Sequence, residues 1–279
     1  MITSNSLSRE EYLRKKRNRR FIKIGVLIFL LLLLVGLVSY ASHRKEVRIT
    51  RVYLFDGVLL TEEEVEKKSL SFLEGSYLWL FPKNNTFFFP KDKLADYLKE
   101  NFKRIDTISI KKKGLTAISI YIKERKPYAV WCKGLPNKTD EEIEECFFMD
   151  QNSTIFAPAP NFSGSAYFKY YGVVSGESPI GKEYIASTTK FVDISDFVAN
   201  VKSLSLKPLY IVEKGNDDFS LVLSGGGEIY FDTKESLYKT AQNLSALLKT
   251  EALVGLDKNN LPVEYIDLRF GNKLFYKLR

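Results

Sequence analysis

Two residues near the C-terminus, Asp267 and Arg269, carry side chains able to do acid–base or ionic chemistry. They stand two apart inside EYIDLRFGN (264–272), a run that is otherwise mostly apolar and aromatic. A carboxylate and a guanidinium at this spacing serve in catalysis, form a structural ion pair or mark a docking edge. The rest of the sequence distinguishes between these three interpretations.

The run alternates as a β-strand does, with successive side chains on opposite faces. The expected faces are Tyr265, Asp267 and Arg269 on one side, and Ile266, Leu268 and Phe270 on the other. Same-face neighbours lie about 6.7 Å apart along a strand, so the two charged side chains can meet. An exposed pair of this kind contributes only about 0–1 kcal/mol to stability, too little to explain the pair by itself.

The chain offers this pair no partners for catalysis. Its one histidine, His43, directly follows a long apolar segment, which leaves the C-terminal region without a histidine for a zinc site or a Ser-His-Asp triad. Gly225–Gly227 lacks the following Lys-Ser/Thr of a phosphate loop and predicts a hairpin turn, while the acidic run Asp140–Glu145 lacks calcium-loop spacing. We predict a protein that is not an enzyme, with no cofactor, no metal and no small-molecule substrate.

The two cysteines, Cys132 and Cys146, flank a polar segment that contains Gly134 and Pro136. This segment predicts a hairpin or an excursion between two strands. In an oxidising compartment, a bridge closing it would contribute about 3 kcal/mol by restricting the unfolded chain. Two unpaired thiols at strand ends are the alternative. We expect the disulfide Cys132–Cys146.

The positive charge is concentrated in the N-terminal segment. The chain has a formal net charge of +8, and residues 1–43 hold eight Lys or Arg against two Glu. The remainder is therefore nearly neutral, and nothing indicates binding to nucleic acid.

Residues 24–42 contain no charged side chain, and this length is close to the ~20 residues that span a bilayer. Basic residues crowd the N-terminal flank, which places the N-terminus in the cytoplasm and the long C-terminal part outside. A cleavable signal peptide is the alternative, since residues 39–41 include small side chains, but the apolar run exceeds the usual h-region. We predict a basic cytoplasmic tail over 1–23 and a transmembrane helix over 24–42.

The sequence predicts an α+β fold with two extracytoplasmic domains, 43–126 and 127–279. The first domain has the order β-α-α-β-β: a strand over Val47–Tyr53, a helix after the capping box at Thr61, a helix over Lys91–Phe102, and strands over Ile105–Lys112 and Leu115–Lys123. An aromatic loop over 77–90 packs in the core of this domain or lies in the membrane interface. The second domain is a mixed β domain with two main helices, Lys190–Leu204 and Thr233–Thr250, and a C-terminal edge strand.

Three motifs lie in order along this layout of tail, anchor and two domains. They are IKERKPYA (122–129) with Glu124, Arg125 and Pro127; FFMDQNSTIF (147–156); and YIDLRF (265–270) with Asp267. They resemble the "v.ER.Pva", "-vD..G.iF" and terminal "yiDLR(f/y)" patterns of the FtsQ/DivIB family of bitopic bacterial division proteins. Asn152-Ser153 stands where that family commonly has a glycine turn, and the cysteine pair is not a general family feature.

This resemblance implies that the first domain is of the POTRA type and that the protein is a non-enzymatic scaffold of the divisome. It would hold FtsB/DivIC- and FtsL-type partners and help to regulate septal peptidoglycan synthesis. It would reside in the plasma membrane, at the septum. Strand addition at the C-terminal edge fits this role, and the expected partner contacts are Arg269, Phe270, Lys273, Leu274, Phe275 and Tyr276.

Two other functions remain open from the residues. A POTRA-bearing export or assembly component of the envelope usually carries repeated modules and a transmembrane barrel, and the sequence indicates neither. An anchored cell-wall enzyme would need the catalytic set that the chain lacks.

Overall fold

The computed structural model describes residues 9–136, 144–160 and 166–279. It is a mixed α+β structure in which one N-terminal apolar helix precedes a small sheet and then a large one. The predicted α+β class is confirmed at this level. Most of the acidic run Asp140–Glu145 lies outside the described residues.

The described chain has five α-helices and fourteen strands. The helices are α1 (Arg9–Ser42), α2 (Glu62–Phe72), α3 (Lys91–Asn101), α4 (Thr188–Ser203) and α5 (Leu237–Leu247). The strands are β1 (Arg51–Phe55), β2 (Ser76–Tyr77), β3 (Phe81–Pro82), β4 (Ile105–Lys113), β5 (Ala117–Glu124), β6 (Ala129–Lys133), β7 (Cys146–Met149), β8 (Ile155–Pro158), β9 (Lys169–Gly172), β10 (Pro208–Gly215), β11 (Asp218–Leu223), β12 (Glu228–Asp232), β13 (Val263–Phe270) and β14 (Lys273–Leu278).

Helix α1 is long and apolar enough to cross a membrane. Its segment Tyr12–Ser42 has a mean hydropathy of 3.0 in its most apolar window. Length and composition carry this assignment, and the direction in which the helix crosses stays a prediction from the flanking charges.

By its contacts the chain divides into two compact units. The first unit comprises Met1–Asn101 and Thr107–Lys123, and the second comprises Phe102–Asp106 and Glu124–Arg279.

The first unit contains α1, a three-stranded sheet and two short helices. The sheet order is β1-β5-β4, and β1 runs parallel to β5. The alternating Ile118, Ile120 and Ile122 of β5 are all buried, as a strand with period two requires. The predicted capping box begins α2: the Glu64 N–H donates to Thr61 Oγ1 at 3.3 Å, and the Thr61 N–H donates to Glu64 Oε2 at 3.2 Å.

The second unit is built on a nine-stranded sheet with the order β14-β13-β12-β11-β10-β9-β6-β7-β8. Helices α4 and α5 supply apolar side chains, among them Phe191, Phe197 and Leu244, to one large core together with the sheet. Both helices form inside the predicted ranges or within two residues of them. Strand β13 reaches into this core through Ile266 and Leu268, and it is the strand that positions β14.

Candidate functional site

The two edges of the nine-stranded sheet differ in how they are covered. Beyond β8, the Ile155 N–H donates to Lys182 O at 2.8 Å and the Gly181 N–H donates to Ile155 O at 2.7 Å. Strand β8 also carries Pro158, which has no N–H to offer a further strand. At the opposite edge, the strands that the structure describes pair β14 with β13 alone. Strand β14 is the open edge.

Strand β14 carries apolar side chains on both faces. Tyr276 lies opposite the buried Ile266 of β13, which places Leu274, Tyr276 and Leu278 on the core-facing side. Leu274 packs against the core, whereas Tyr276 and Leu278 remain 38% and 42% exposed. Phe275, on the other face, is 49% exposed. The edge thus presents apolar surface that an added strand would cover.

Phe270 does not lie on the face that the sequence predicts for it. Between the pairs Asp267↔Phe275 and Phe270↔Lys273 the register shifts, so that β13 holds an extra residue. Such a bulge breaks the alternation. Leu268 is buried as expected, but Phe270 is 56% exposed, and its ring lies edge-on to Phe275 with centroids 5.4 Å apart. The predicted face of Phe270 was wrong, and the bulge is the reason.

Asp267 and Arg269 form a partly buried ion pair, not an exposed one. Arg269 Nε donates to Asp267 Oδ1 at 2.9 Å, and Arg269 Nη2 donates to Asp267 Oδ2 at 2.6 Å. Asp267 is only 7% exposed. Because each of the two carboxylate oxygens receives its own donor, this is a bidentate contact, which is stronger than a single ion pair.

A second carboxylate, Asp218 at the start of β11, joins this pair. Arg269 Nη1 donates to Asp218 Oδ2 at 2.8 Å, and Lys234 Nζ lies 3.6 Å from Asp218 Oδ1. The guanidinium also lies 5.5 Å from the centre of the Tyr230 ring. These contacts tie β13 across β12 to β11, and they fix the strand from which the open edge extends.

The carboxylates raise the pKa of the Arg269 guanidinium further above its ordinary value. The hydrogen bonding that Arg269 donates to Asp267 is the largest cause, while burial acts in the opposite direction. Arg269 is therefore a permanent cation held by two acids. Its geometry indicates a positioning role, and a direct contact of Arg269 with a partner stays a prediction.

The two lysines of β14 differ in their contacts. Lys277 Nζ lies 2.6 Å from Glu264 Oε2 on β13, and this hydrogen bond raises the pKa of the exposed lysine. Lys273, at the start of β14, is exposed. Charged side chains on an edge strand discourage non-specific strand pairing while leaving the backbone open to a specific partner.

The cysteines lie toward the other end of the sheet. Cys132 of β6 and Cys146 of β7 are cross-strand neighbours with Cα atoms 4.1 Å apart, and the structure joins them in a disulfide. Glu144 lies close to both sulfurs. Since a bridged sulfur is no thiolate ligand, this group does not offer a metal the two cysteines. Glu144 instead accepts from Lys169 Nζ at 2.7 Å and from Tyr171 Oη at 2.9 Å.

Two motif residues that are far apart in the sequence meet in the second unit. Arg125 Nη1 donates to Asp150 Oδ2 at 2.5 Å, and Asp150 Oδ1 accepts from the N–H groups of Asn152 and Thr154. Asp150 thereby holds the turn between β7 and β8. Within this turn Ser153 has a φ of +65°, the left-handed conformation in which glycine is common.

Glu124 and Pro127, the other motif residues beside Arg125, lie at the end of β5 and in the segment after it. Glu124 is the last residue of β5 and is 9% exposed, and Pro127 lies in the short connection to β6.

The sequence did not reveal Asp218 or the pairing of Arg125 with Asp150. Asp218 is 51 residues from Arg269, and Asp150 is 25 residues from Arg125. Neither spacing has a local signal, since strand order alone brings the residues together. Asp150 was visible as the acid of FFMDQNSTIF, but its partner was not.

Comparison with known families gave no support for an assignment: no family model matches the chain. A comparison with curated protein sequences gave no match either.

Proposed function

We propose that this protein is a membrane-anchored, non-enzymatic scaffold of the bacterial divisome, similar to the FtsQ/DivIB proteins. In this proposal α1 crosses the plasma membrane with its N-terminus in the cytoplasm, and both units lie outside. The first unit is a POTRA-type module. The second unit captures FtsB/DivIC- and FtsL-type partners at the septum, where the complex helps to regulate peptidoglycan synthesis.

The open edge β14 is the observation that carries the proposal. It pairs with the motif strand β13 and presents Phe275, Tyr276 and Leu278 around its backbone. Strand addition draws affinity from main-chain hydrogen bonds and specificity from alternate side chains. Strand β14 offers both an edge backbone for main-chain hydrogen bonds and alternate side chains for specificity. The β8 edge is instead occupied by the segment around Gly181.

The order of the elements in the first unit also supports the proposal. Strand β1 is followed by two helices and then by β4 and β5, with the small β2–β3 hairpin between the helices. This order is the one that the resemblance implies. It supports the assignment of the first unit to a POTRA-type module.

Co-purification tests the proposal. The full-length protein in nanodiscs is mixed with the FtsB/DivIC- and FtsL-type proteins of its own organism, and bound partner is quantified for the wild type, Phe275→Glu and Tyr276→Glu. We expect each variant to lose at least tenfold in affinity, because a charge beside the incoming strand must be desolvated. The matched control is Tyr238→Glu on α5, where the tyrosine is 69% exposed, and it should bind as the wild type does.

Two results would contradict the proposal. Failure of the wild type to bind these partners would remove the divisome function. Binding by Phe275→Glu and Tyr276→Glu that equals that of the wild type would leave the function standing and move the docking surface away from β14. Thermal unfolding of each variant separates loss of the edge from loss of the fold.

A further inference from the structure

The hairpin β2–β3 ends in an unusually apolar and exposed tip. Its two strands pair through Ser76↔Pro82 and Tyr77↔Phe81, which leaves Leu78, Trp79 and Leu80 at the turn. Leu78 is 85% exposed and Trp79 is 90% exposed. Adjacent large apolar side chains with this much solvent exposure often mark an interaction surface.

The backbone of this tip is unfavourable for the residues that it carries. Leu78 and Trp79 have φ values of +47° and +61°, and the Leu80 N–H donates to Tyr77 O at 2.9 Å. These are the two central positions of a turn in which Asn-Gly is the favoured pair. Leucine and tryptophan rarely adopt a positive φ. Turn stability therefore does not explain why these residues stand here.

Contacts with the end of α1 fix where the tip lies. Ser39 Oγ donates to Leu80 O at 2.7 Å, and Asn85 Nδ2 donates to Ser42 O at 3.0 Å. Asn85 is 1% exposed, so this second contact is a buried part of the structure. The hairpin and the loop after it are thus attached to the last turn of the apolar helix.

The depth in a bilayer follows from helix geometry. Ser39 precedes the end of the uncharged run at Ser42 by about 4.5 Å along the helix axis. Because the uncharged run over 24–42 is about as long as the hydrocarbon core, Ser39 lies near the border between acyl chains and headgroups. The tip that touches Ser39 lies at that same level. Trp and Tyr are the side chains enriched at this border.

We propose that the tip of the β2–β3 hairpin, Leu78–Leu80, inserts into the lipid interface of the leaflet at the C-terminal end of α1, with Trp79 as its anchor. The inference rests on α1 crossing the membrane and is independent of the divisome function. A lipid surface is the favoured occupant because the tip contacts the last turn of the apolar helix α1 at Ser39. Phe88, 48% exposed and with its ring 5.6 Å from that of Phe81, extends the apolar surface.

This second point of attachment has a mechanical consequence. A single helix followed by a short connection lets a domain rotate over the membrane. A hairpin inserted beside the helix holds the first unit at one height and one orientation. The tip Leu78–Leu80 acts as an interfacial anchor in one leaflet, in addition to the membrane-spanning helix α1.

Tryptophan quenching by lipids tests the inference, because the chain has only two tryptophans. Trp79 is 90% exposed, whereas Trp131 is 2% exposed in the core of the second unit. The full-length protein is reconstituted into vesicles whose lipids carry bromine at a shallow or a deep acyl position. We expect strong quenching by the shallow probe, weaker quenching by the deep probe, and no quenching in Trp79→Phe.

Two further variants keep the test decisive. Leu78→Asp retains the Trp79 reporter and should lose most of its quenching, since a carboxylate resists burial in lipid. Val58→Asp is the matched control. Val58 is 82% exposed, but it follows the C-terminal end of β1, whereas α1 precedes the N-terminal end of that strand. This variant should leave quenching unchanged. Circular dichroism shows whether each variant is folded. Wild-type quenching no greater than that of Trp79→Phe would overturn the inference, as would unchanged quenching in a folded Leu78→Asp.

Discussion

Arg269 reaches back to Asp267, two residues earlier on the same strand, and closes two hydrogen bonds on its carboxylate at 2.9 and 2.6 Å. The bulge that follows Asp267 turns Phe270 away from the core. The ion pair therefore lies where β13 changes from buried to exposed residues, just before the turn into the open edge strand β14. It holds the strand that presents β14.

Breaking this pair should destabilise the second unit. Asp267→Asn removes the charge that Arg269 is paired with inside a mostly buried site, and we expect a loss of about 1–3 kcal/mol. Denaturant unfolding followed by circular dichroism measures it. Asp193→Asn, at an exposed aspartate of α4, is the control and should stay within about 0.5 kcal/mol of the wild type. A loss no larger for Asp267→Asn than for this control would mean that the pair does not support the strand.

Arg125 and Asp150 should behave as a coupled pair. In a double-mutant cycle with Arg125→Ala and Asp150→Asn, we expect a coupling energy of about 0.5–3 kcal/mol. The asparagine keeps an oxygen for the N–H groups of Asn152 and Thr154, so the cycle isolates the ionic contact from the turn. Strictly additive losses in unfolding free energy would show that the two side chains do not interact in solution.

The disulfide should resist labelling and stabilise the second unit. Without reductant, neither Cys132 nor Cys146 should react with a maleimide in the denatured protein. Reduction, or the double change to alanine, should cost about 3 kcal/mol, because the bridge closes a short loop in the unfolded chain. Quantitative labelling of both cysteines before reduction would contradict the bridge.

The protein should lose stability at alkaline pH. Burial raises the pKa of Tyr170, Tyr171 and Tyr184 above the ordinary value of 10.0, and Tyr171 is raised further by its hydrogen bond to Glu144. A raised folded pKa means that the folded state keeps these protons more tightly than the unfolded state. The stabilisation is complete below pH 10 and is lost as the pH rises above it.

Tyrosinate absorbance recorded together with circular dichroism checks this expectation. The three tyrosines should ionise only as the protein unfolds, and Tyr184→Phe should make the alkaline loss less steep. Ionisation of every tyrosine near pH 10 in a protein that stays folded would contradict it.

Local pattern in the sequence predicted the elements well. The alternation of Ile118, Ile120 and Ile122 gave β5, and the Thr61–Glu64 pair gave the start of α2. These signals succeed because burial with period two and helix capping are both properties of a few neighbouring residues.

Features that depend on register or on distant strands were not predictable in the same way. The bulge in β13 moved Phe270 to the surface, and only the pairing with β14 reveals it. The burial of Asp267 depends on its neighbours across the sheet, and Asp218 comes from another strand. Ile266, Asp267 and Leu268 are buried, so deletion of residues 264–279 would unfold the second unit. Docking at the edge is therefore tested with point substitutions on β14.

Hydrogen exchange on the full-length protein in nanodiscs tests the docking edge most directly. Exchange is followed by mass spectrometry with and without the FtsB/DivIC- and FtsL-type partners. We predict that the backbone amides of Lys273–Leu278 that point away from β13 become strongly protected when the complex forms, because an added strand bonds to them, while those of Ile155–Ala157 do not change. Unchanged exchange over Lys273–Leu278 in a complex that has formed would contradict the account.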